Sequence, residues 1–264
     1  MQSPLISIGM SVFNNKDTIG RAVRSIVNQT FRDWELLIYD DGSTDGTADV
    51  LRTFDDERIV VLRDGKNRGL PARLNETIAA ARGEFYARMD GDDVSYPERL
   101  ELQLAYMNAH PEVDLMGSGI CVVGPQGSVL GKRIPPSDHA AICRRPYSGF
   151  PLAHPTFFGR RKWFQSWLFR LEAGGACDQD LLLRSFATSK FANTSDILLG
   201  YREDGISLRK CYTYRKTFCR SQAKNCAYGN IRSTAIAIAL NTVKLGFEAV
   251  AVTTGLQHRL LRHR

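Results

Sequence analysis

Residues 87–100, ARMDGDDVSYPERL, place Asp90, Asp92 and Asp93 within four positions, directly after the apolar run EFYA. Ionised carboxylates this close repel one another, so a buried cluster is costly without a counter-charge. Carboxylates at a strand end, separated by one spacer, can share a hard divalent cation through oxygen ligands. Mg²⁺ or Mn²⁺ held by one or two carboxylates completes its shell with water and phosphate oxygens. The triplet therefore reads either as a metal–diphosphate site or as an exposed acidic turn, with Asp93 or Ser95 capping a helix that starts near Pro97.

Asp40 and Asp41 close a second apolar run, ELLIY. A carboxylate there can accept from a pyrimidine N3–H or from ribose hydroxyls; it can equally be a plain turn residue. Arg73 adds a charge on the helix that precedes the metal strand, or belongs to a solvated face. In ACDQDLLLR, Asp178 and Asp180 open an amphipathic helix. They either stabilise its N-terminus or include a general base that takes a proton from an acceptor hydroxyl. HPTFFGRR supplies His154, Arg160 and Arg161, which can contact a diphosphate or an anionic acceptor, or line a solvated strand edge.

The elements that must position these groups follow from periodicity. LISIGMSVF, ELLIY, RIVVL and EFYARM read as strands. Ile19, Val23, Ile26 and Val27 recur at helical spacing after NNKD. Ser43, Thr44 or Asp45 is expected to cap a helix over TADVLRTF, and Pro71 suits the first turn of a helix through ARLNETIAAA. This alternation predicts an α/β fold with a mainly parallel central sheet flanked by helices. Ligands of such sheets bind outside the carboxyl ends of the strands, where both acidic clusters fall, so the clusters should line one crevice. Beyond Pro97 the pattern predicts a helix over PERLELQLAYMNAH, strands over VDLMGSGICVVG and SVLGKRI, and a loop-rich stretch to about Gly175. A helix over DQDLLLRSFA, a strand over ILLGYR and a basic helical remainder from about Ser207 complete it.

The chain has 264 residues and a net charge of +7, with the basic excess lying from Lys132 onward. That asymmetry points to an anionic partner of the C-terminal part. No interleaved aromatic platform accompanies the charge, which argues against nucleic acid. Six cysteines without CxxC spacing argue against zinc, and MQSPLISIGM lacks the features of a signal peptide. Reduced thiols in a cytoplasmic protein are expected. Residues 231–263 are strongly apolar, interrupted by Lys244 and Glu248, which could pair on one helix face. A helix lying on a membrane, or packed on the catalytic part, is expected rather than a full span.

Together, PLISIGMSVFNNKDTIGRAVRSIVNQTFRDWELLIYDDGSTDGT, NRGLPARLNETIAAARGEFYARMDGDD and CDQDLLLR resemble the family 2 glycosyltransferases of GT-A fold, over roughly residues 4–207. These are inverting enzymes that use nucleotide-diphosphate sugars. The resemblance implies a GT-A domain over 1–207, with a nucleotide-binding half of about 1–95 and an acceptor-binding half of about 96–207, then a helical basic extension over 208–264. It implies that Val12, Phe13 and Asn14 hold the base, that Asp41 contacts a uracil-type base or ribose with Asp40 beside it, and that Arg73 lies near the nucleotide. Asp90 and Asp92 match the DxD motif, Asp92 being the first metal ligand, for Mn²⁺ or Mg²⁺. Asp178 matches the catalytic base, with Asp180 supporting it.

Cys177 stands where the family usually has Glu, and Asp204 in YREDGIS stands where His is common, leaving Asp204 as a diphosphate or metal contact. The QxxRW signature of polymerising members is absent, so transfer of one sugar is expected. The implied acceptor is a saccharide or a lipid-linked saccharide, and the implied place is the inner face of a bacterial plasma membrane. Two rivals remain at this level. A sugar nucleotidyltransferase would carry a Gly-rich basic loop where SVFNNKD stands. A degenerate nucleotide-binding module acting as a membrane-associated assembly partner would fit the Cys177 and Asp204 departures.

Overall fold

The computed structural model describes residues 3–205, 207–225 and 231–254. Four parallel strands, β1 (Ile6–Val12), β2 (Trp34–Asp40), β3 (Ile59–Arg63) and β4 (Phe85–Asp90), run in the order β3-β2-β1-β4. Helices α1 (Lys16–Val27), α2 (Thr47–Leu51) and α3 (Leu70–Ala80) make the crossovers. β1, β2 and β4 are nearly continuous apolar runs because helices cover both faces of the sheet. Ile6, Ile8, Met10 and Val12 pack with Ile19, Val23 and Ile26 of α1 on one face. Leu37 and Tyr86 join Leu74 and Ile78 of α3 on the other.

The second half comprises β5 (Val94–Ser95), α4 (Arg99–Ala109), β6 (Leu115–Val123), β7 (Val129–Arg133), α5 (His139–Ile142), β8 (Phe158–Arg160), α6 (Arg161–Ser166), α7 (Cys177–Ser185) and β9 (Phe191–Arg202). β8 pairs antiparallel with β4 and extends the sheet to β6, β9 and β5, while β7 folds back on β6. Strands of two or three residues leave no periodic signal, so β5 and β8 are not legible in the sequence.

Two local expectations change. α2 is a single turn, and its cap is Gly46 in the left-handed region rather than Ser43, Thr44 or Asp45. Those side chains are spent elsewhere: Ser43 Oγ accepts the Asn14 N–H at 3.0 Å, and Asp45 accepts the N–H groups of Lys16 and Thr47. They tie the turn after β2 to the turn after β1. Neither Asp93 nor Ser95 caps α4, which begins behind Glu98 with no side-chain cap.

The C-terminal part is a helical hairpin of α8 (Leu208–Lys224) and α9 (Ile231–Thr253). Glu248 meets Arg215 of α8 at 2.6 and 2.9 Å, and Arg215 also donates to Asn241. Cys121, Cys143, Cys177, Cys211 and Cys219 are free thiols; Cys226 and residues 255–264 lie outside the described residues. Among the described residues no helix is long and apolar enough to cross a membrane.

Candidate active site

The ends of β1, β2 and β4 form the floor of the crevice. Val12 faces Asp40 across one register and Ser11 faces Asp90 across the other. The Val12 side chain is buried in the core, and its carbonyl accepts the Asp41 N–H at 2.8 Å. Only its backbone fronts the crevice. Phe13 is half exposed at the mouth, and Asn14 holds a positive φ of 53°. That strained turn is pinned by the bond to Ser43 and by Thr44 N–H donating to Asn14 Oδ1 at 2.9 Å. Asp40 is fully buried, accepts the Ser43 N–H at 2.8 Å and has Arg63 Nε 3.3 Å away.

Asp41 accepts from the Arg68 N–H (2.7 Å), the Gly69 N–H (2.9 Å) and Arg73 Nε (2.7 Å). Arg73 is wholly buried, stacks on Tyr39, and also meets Asp64, Glu76 and the Lys66 carbonyl. Burial opposes its charge, but Asp64, Glu76 and Asp41 outweigh burial and hold the guanidinium above ordinary arginine. Asp41 and Arg73 therefore set the loop over residues 64–69 that walls this end of the crevice.

The second end is acidic. Asp90, Asp92 and Asp93 offer carboxylate oxygens within 4.8 Å of one another. Gly91, between them, packs closely on β1: a Cβ there would sit 2.7 Å from Val12 Cγ1. Burial, then the charge of Asp90, pushes Asp92 up to about 6. Burial and its two neighbours hold Asp93 well above the ordinary carboxyl range. Asp93 Oδ1 accepts the Arg202 N–H at 2.8 Å, while its buried Oδ2 has no partner among the described residues. Three crowded carboxylates with an orphaned buried oxygen suit a hard divalent cation; Asp90 and Asp92, with Asp93 behind them, are the residues that would hold it.

The resident counter-charge is one that motif reading passes over. Arg88, two residues before Asp90 on the same face of β4, is 2% exposed and donates to Asp90 Oδ1. Its Nε and Nη1 have no hydrogen-bond partner among the described residues. Burial opposes its charge, yet Asp90, Asp93 and Cys177 hold it above ordinary arginine. Beneath it, buried Arg99 donates to the Arg88 carbonyl at 2.8 Å. An arginine at alternate spacing to an acid, inside an otherwise apolar strand, was the available signal.

α7 brings Asp178 to the same place. Asp178 is partly exposed, receives Gln179 Nε2 at 3.3 Å, and lies within the electrostatic reach of Arg88. Desolvation raises its pKa against the opposing pull of Gln179 and Arg88, as a general base requires. Cys177 is buried beside it with its thiol pushed far up by burial and by Asp178. His154 packs against Phe157 and Phe169, its Nε2 without a partner. Burial and Arg88 push its pKa well down, so it is a neutral imidazole here and supplies no charge to a diphosphate. Asp204 is exposed, pairs with Arg202 at 2.7 Å and adds to the negative field at Asp92.

Two expected residues are not brought to the site. Asp180 points to α8: Arg184 Nε donates to it at 2.8 Å, Ser221 Oγ also donates, and Arg170 approaches at 3.8 Å. Residues two apart on a helix differ by about 200° in direction, so Asp178 and Asp180 face opposite ways. Arg160 pairs in register with Phe85, the first residue of β4, and meets Glu84 at 3.6 Å. Because β8 runs antiparallel to β4, Arg160 ends at the opposite edge of the sheet from Asp90.

Comparisons with known proteins bear on the family and the fold. Residues 7–168 match the family model described as Glycosyl transferase family 2. The chain is 32% identical over 225 residues to EpsE of Bacillus subtilis (strain 168), which goes under a glycosyltransferase name, covering 80% of this chain and 78% of that protein. It is 32% identical over 136 residues to WfgD of Escherichia coli, a UDP-Glc:alpha-D-GlcNAc-diphosphoundecaprenol beta-1,3-glucosyltransferase, covering 52% and 53%. Among solved structures, S. aureus TarS 1-349 with UDP-GlcNAc aligns at a TM-score of 0.69 with 17% identity, over 90% of this chain and 71% of that one. The mannosyltransferase PcManGT of Pyrobaculum calidifontis, with GDP-Man and Mn²⁺, aligns at 0.68 with 17% identity, over 97% and 76%. The structural likeness carries the fold, and the match over residues 7–168 carries the family: the chain is a glycosyltransferase and belongs to glycosyltransferase family 2.

Proposed function

We propose that the chain moves one sugar, with inversion, from a nucleotide-diphosphate sugar to a hydroxyl of a saccharide or lipid-linked saccharide. A UDP-sugar is the favoured donor, and bacterial surface-polysaccharide assembly the favoured setting. The observation that carries this reading is the sharing of Arg88 between the carboxylate cluster and the desolvated Asp178. It puts a charge-handling end and a proton-accepting end in one crevice.

The residues then divide the work. Phe13 and the loop fixed by Asp41 and Arg73 hold the nucleoside. Asp90 and Asp92 hold the divalent ion, which when bound supplies charge neutralisation to the departing diphosphate. Arg88, buried and donating to Asp90, adds positive potential beneath the reacting groups. Asp178 takes the proton from the acceptor hydroxyl, whose oxygen attacks the anomeric carbon opposite the leaving group; one displacement inverts the configuration and needs no protein nucleophile. WfgD, by its name, acts on a diphosphoundecaprenol-linked sugar. That acceptor class supports our reading of a position at the inner face of a bacterial plasma membrane, against an anionic surface.

Calorimetric titration of UDP, GDP and dTDP into the chain, with and without Mn²⁺, tests the reading. Metal-dependent binding of one nucleotide is expected. A folded chain that binds none of them would refute it.

A further inference from the structure

A cavity of about 1060 Å³ lies between the loop over residues 136–151 and the α8–α9 hairpin. One end reaches Gln179, the neighbour of Asp178, and Tyr201, whose hydroxyl faces the field of Asp93 and Asp90. Gln179 also pins the loop, accepting the Phe150 N–H at 2.7 Å. The wall carries Arg144, Arg145, Lys210, Arg215 and Lys244 against a single acid, Glu248, which Arg215 already holds. Arg144, Arg145 and Lys210 are exposed and make no ion pair among the described residues. The N-terminus of α8, capped by Ser207, opens on the same space. Cationic side chains beside a helix N-terminus select phosphate.

The other end of the cavity meets Phe247, and Phe247 belongs to a second feature. Ile236, Leu240, Val243, Phe247 and Val250 of α9 are 45–67% exposed and recur at four- and three-residue steps along one helix face. Lys244 is the one charged side chain among the exposed, described positions of α9. Alongside run the exposed Arg209, Lys210, Lys216 and Arg220 of α8. An apolar helix face bordered by cations fits an anionic lipid surface. A second copy docked face to face would bring like charges together.

We propose that this cavity is the acceptor subsite for a saccharide carried by phosphate on an apolar chain. The phosphate lies among Arg144, Arg145 and Lys210, and the saccharide reaches toward Gln179 and Asp178. The chain leaves over Phe247 along the outer face of α9, which rests on an anionic membrane. This rests on the glycosyl-transfer reading above and locates its acceptor.

The test uses the full chain in chelator, titrated with farnesyl diphosphate, inorganic diphosphate and farnesol. Farnesyl diphosphate should bind at least about tenfold more tightly than either fragment. Arg144→Ala with Arg145→Ala should weaken it by about tenfold or more. Phe247→Ser should remove the preference over inorganic diphosphate and leave the latter's affinity unchanged. Both variants should bind UDP with Mn²⁺ as the parent does, which also reports that they fold. The parent should sediment with phosphatidylglycerol-containing vesicles and not with phosphatidylcholine alone. Equal affinity for farnesyl and inorganic diphosphate, parent-like binding by both variants, or a concentration-dependent dimer that buries α9 would each overturn the proposal. Retained UDP binding with no farnesyl diphosphate binding sinks this inference alone; loss of UDP binding by the parent sinks the reading beneath it.

Discussion

Asp92 as a carboxylate costs the fold stability, and Asp92→Asn makes that measurable. Folding raises its pKa from the 3.8 of an ordinary carboxyl to about 6, through burial first and Asp90 second. The folded chain therefore holds the proton more tightly than the unfolded chain. The stability this confers is complete below pH 3.8 and is lost as pH rises through 6. The rise is worth at most about 3 kcal/mol above pH 7. Because Asp90 and Asp93 share the repulsion, we expect about 1–3 kcal/mol. Asp92→Asn in chelator at pH 7.5 should thus melt higher than the parent, by roughly 3–8 °C for a domain of this size. At pH 4 the difference should shrink. Added Mn²⁺ should stabilise the parent and not the variant, while transfer is abolished in the variant. Thermal melts followed by circular dichroism across pH 4–7.5 make the check. A variant that melts lower in chelator at pH 7.5 would refute the account of Asp92 as a carboxylate penalised by burial and by Asp90.

Asp178→Asn should lower kcat by about 10²–10⁴-fold with UDP affinity intact. In the parent, desolvation of Asp178 should place the acidic limb of the pH–rate profile above the ordinary Asp range, the rate falling as pH drops through it; a limb at an ordinary Asp value contradicts this. Arg73→Ala should cost about 3–5 kcal/mol in urea melts, since it leaves buried Asp41 without its cation while Arg68 still reaches Asp64 and Glu76, and should weaken nucleotide binding in calorimetry. Arg73→Lys should restore little of either, because an ammonium cannot reproduce the fork. Asp180→Asn should lower the melting temperature by loosening α8, at a cost of about 1–3 kcal/mol, with kcat well below that temperature unchanged. A kcat loss matching that of Asp178→Asn would return Asp180 to the active site.

The parallel half of the sheet is legible in the sequence because strands buried on both faces must be apolar throughout, and their charged ends stand out against them. Asp90, Asp92 and Asp41 are found this way. Helical geometry could have separated Asp178 from Asp180, since two residues 200° apart cannot serve one site. Arg160 was not readable: its place depends on the direction of β8, and three residues carry no sign of direction. Nor was Arg73 readable as an organiser of the loop over residues 64–69, because its partners are assembled by the fold rather than by spacing. Arg88 and His154 owe their character to burial, which a motif does not record.

The register of the sheet has a consequence for what this crevice can accept. β2 and β4 flank β1, with Asp40 level with Val12 and Asp90 level with Ser11. The two acidic ends are therefore two strand spacings apart, about 10 Å. Backbone hydrogen bonds fix that span, so it works as a caliper. A ligand that spans both strand ends meets the backbone at that separation, and an exchange of side chains moves the contacting tips without moving the strands. Selection among sugars or acceptors can drift on the loops around the crevice, while the span between the strand ends is set by the sheet.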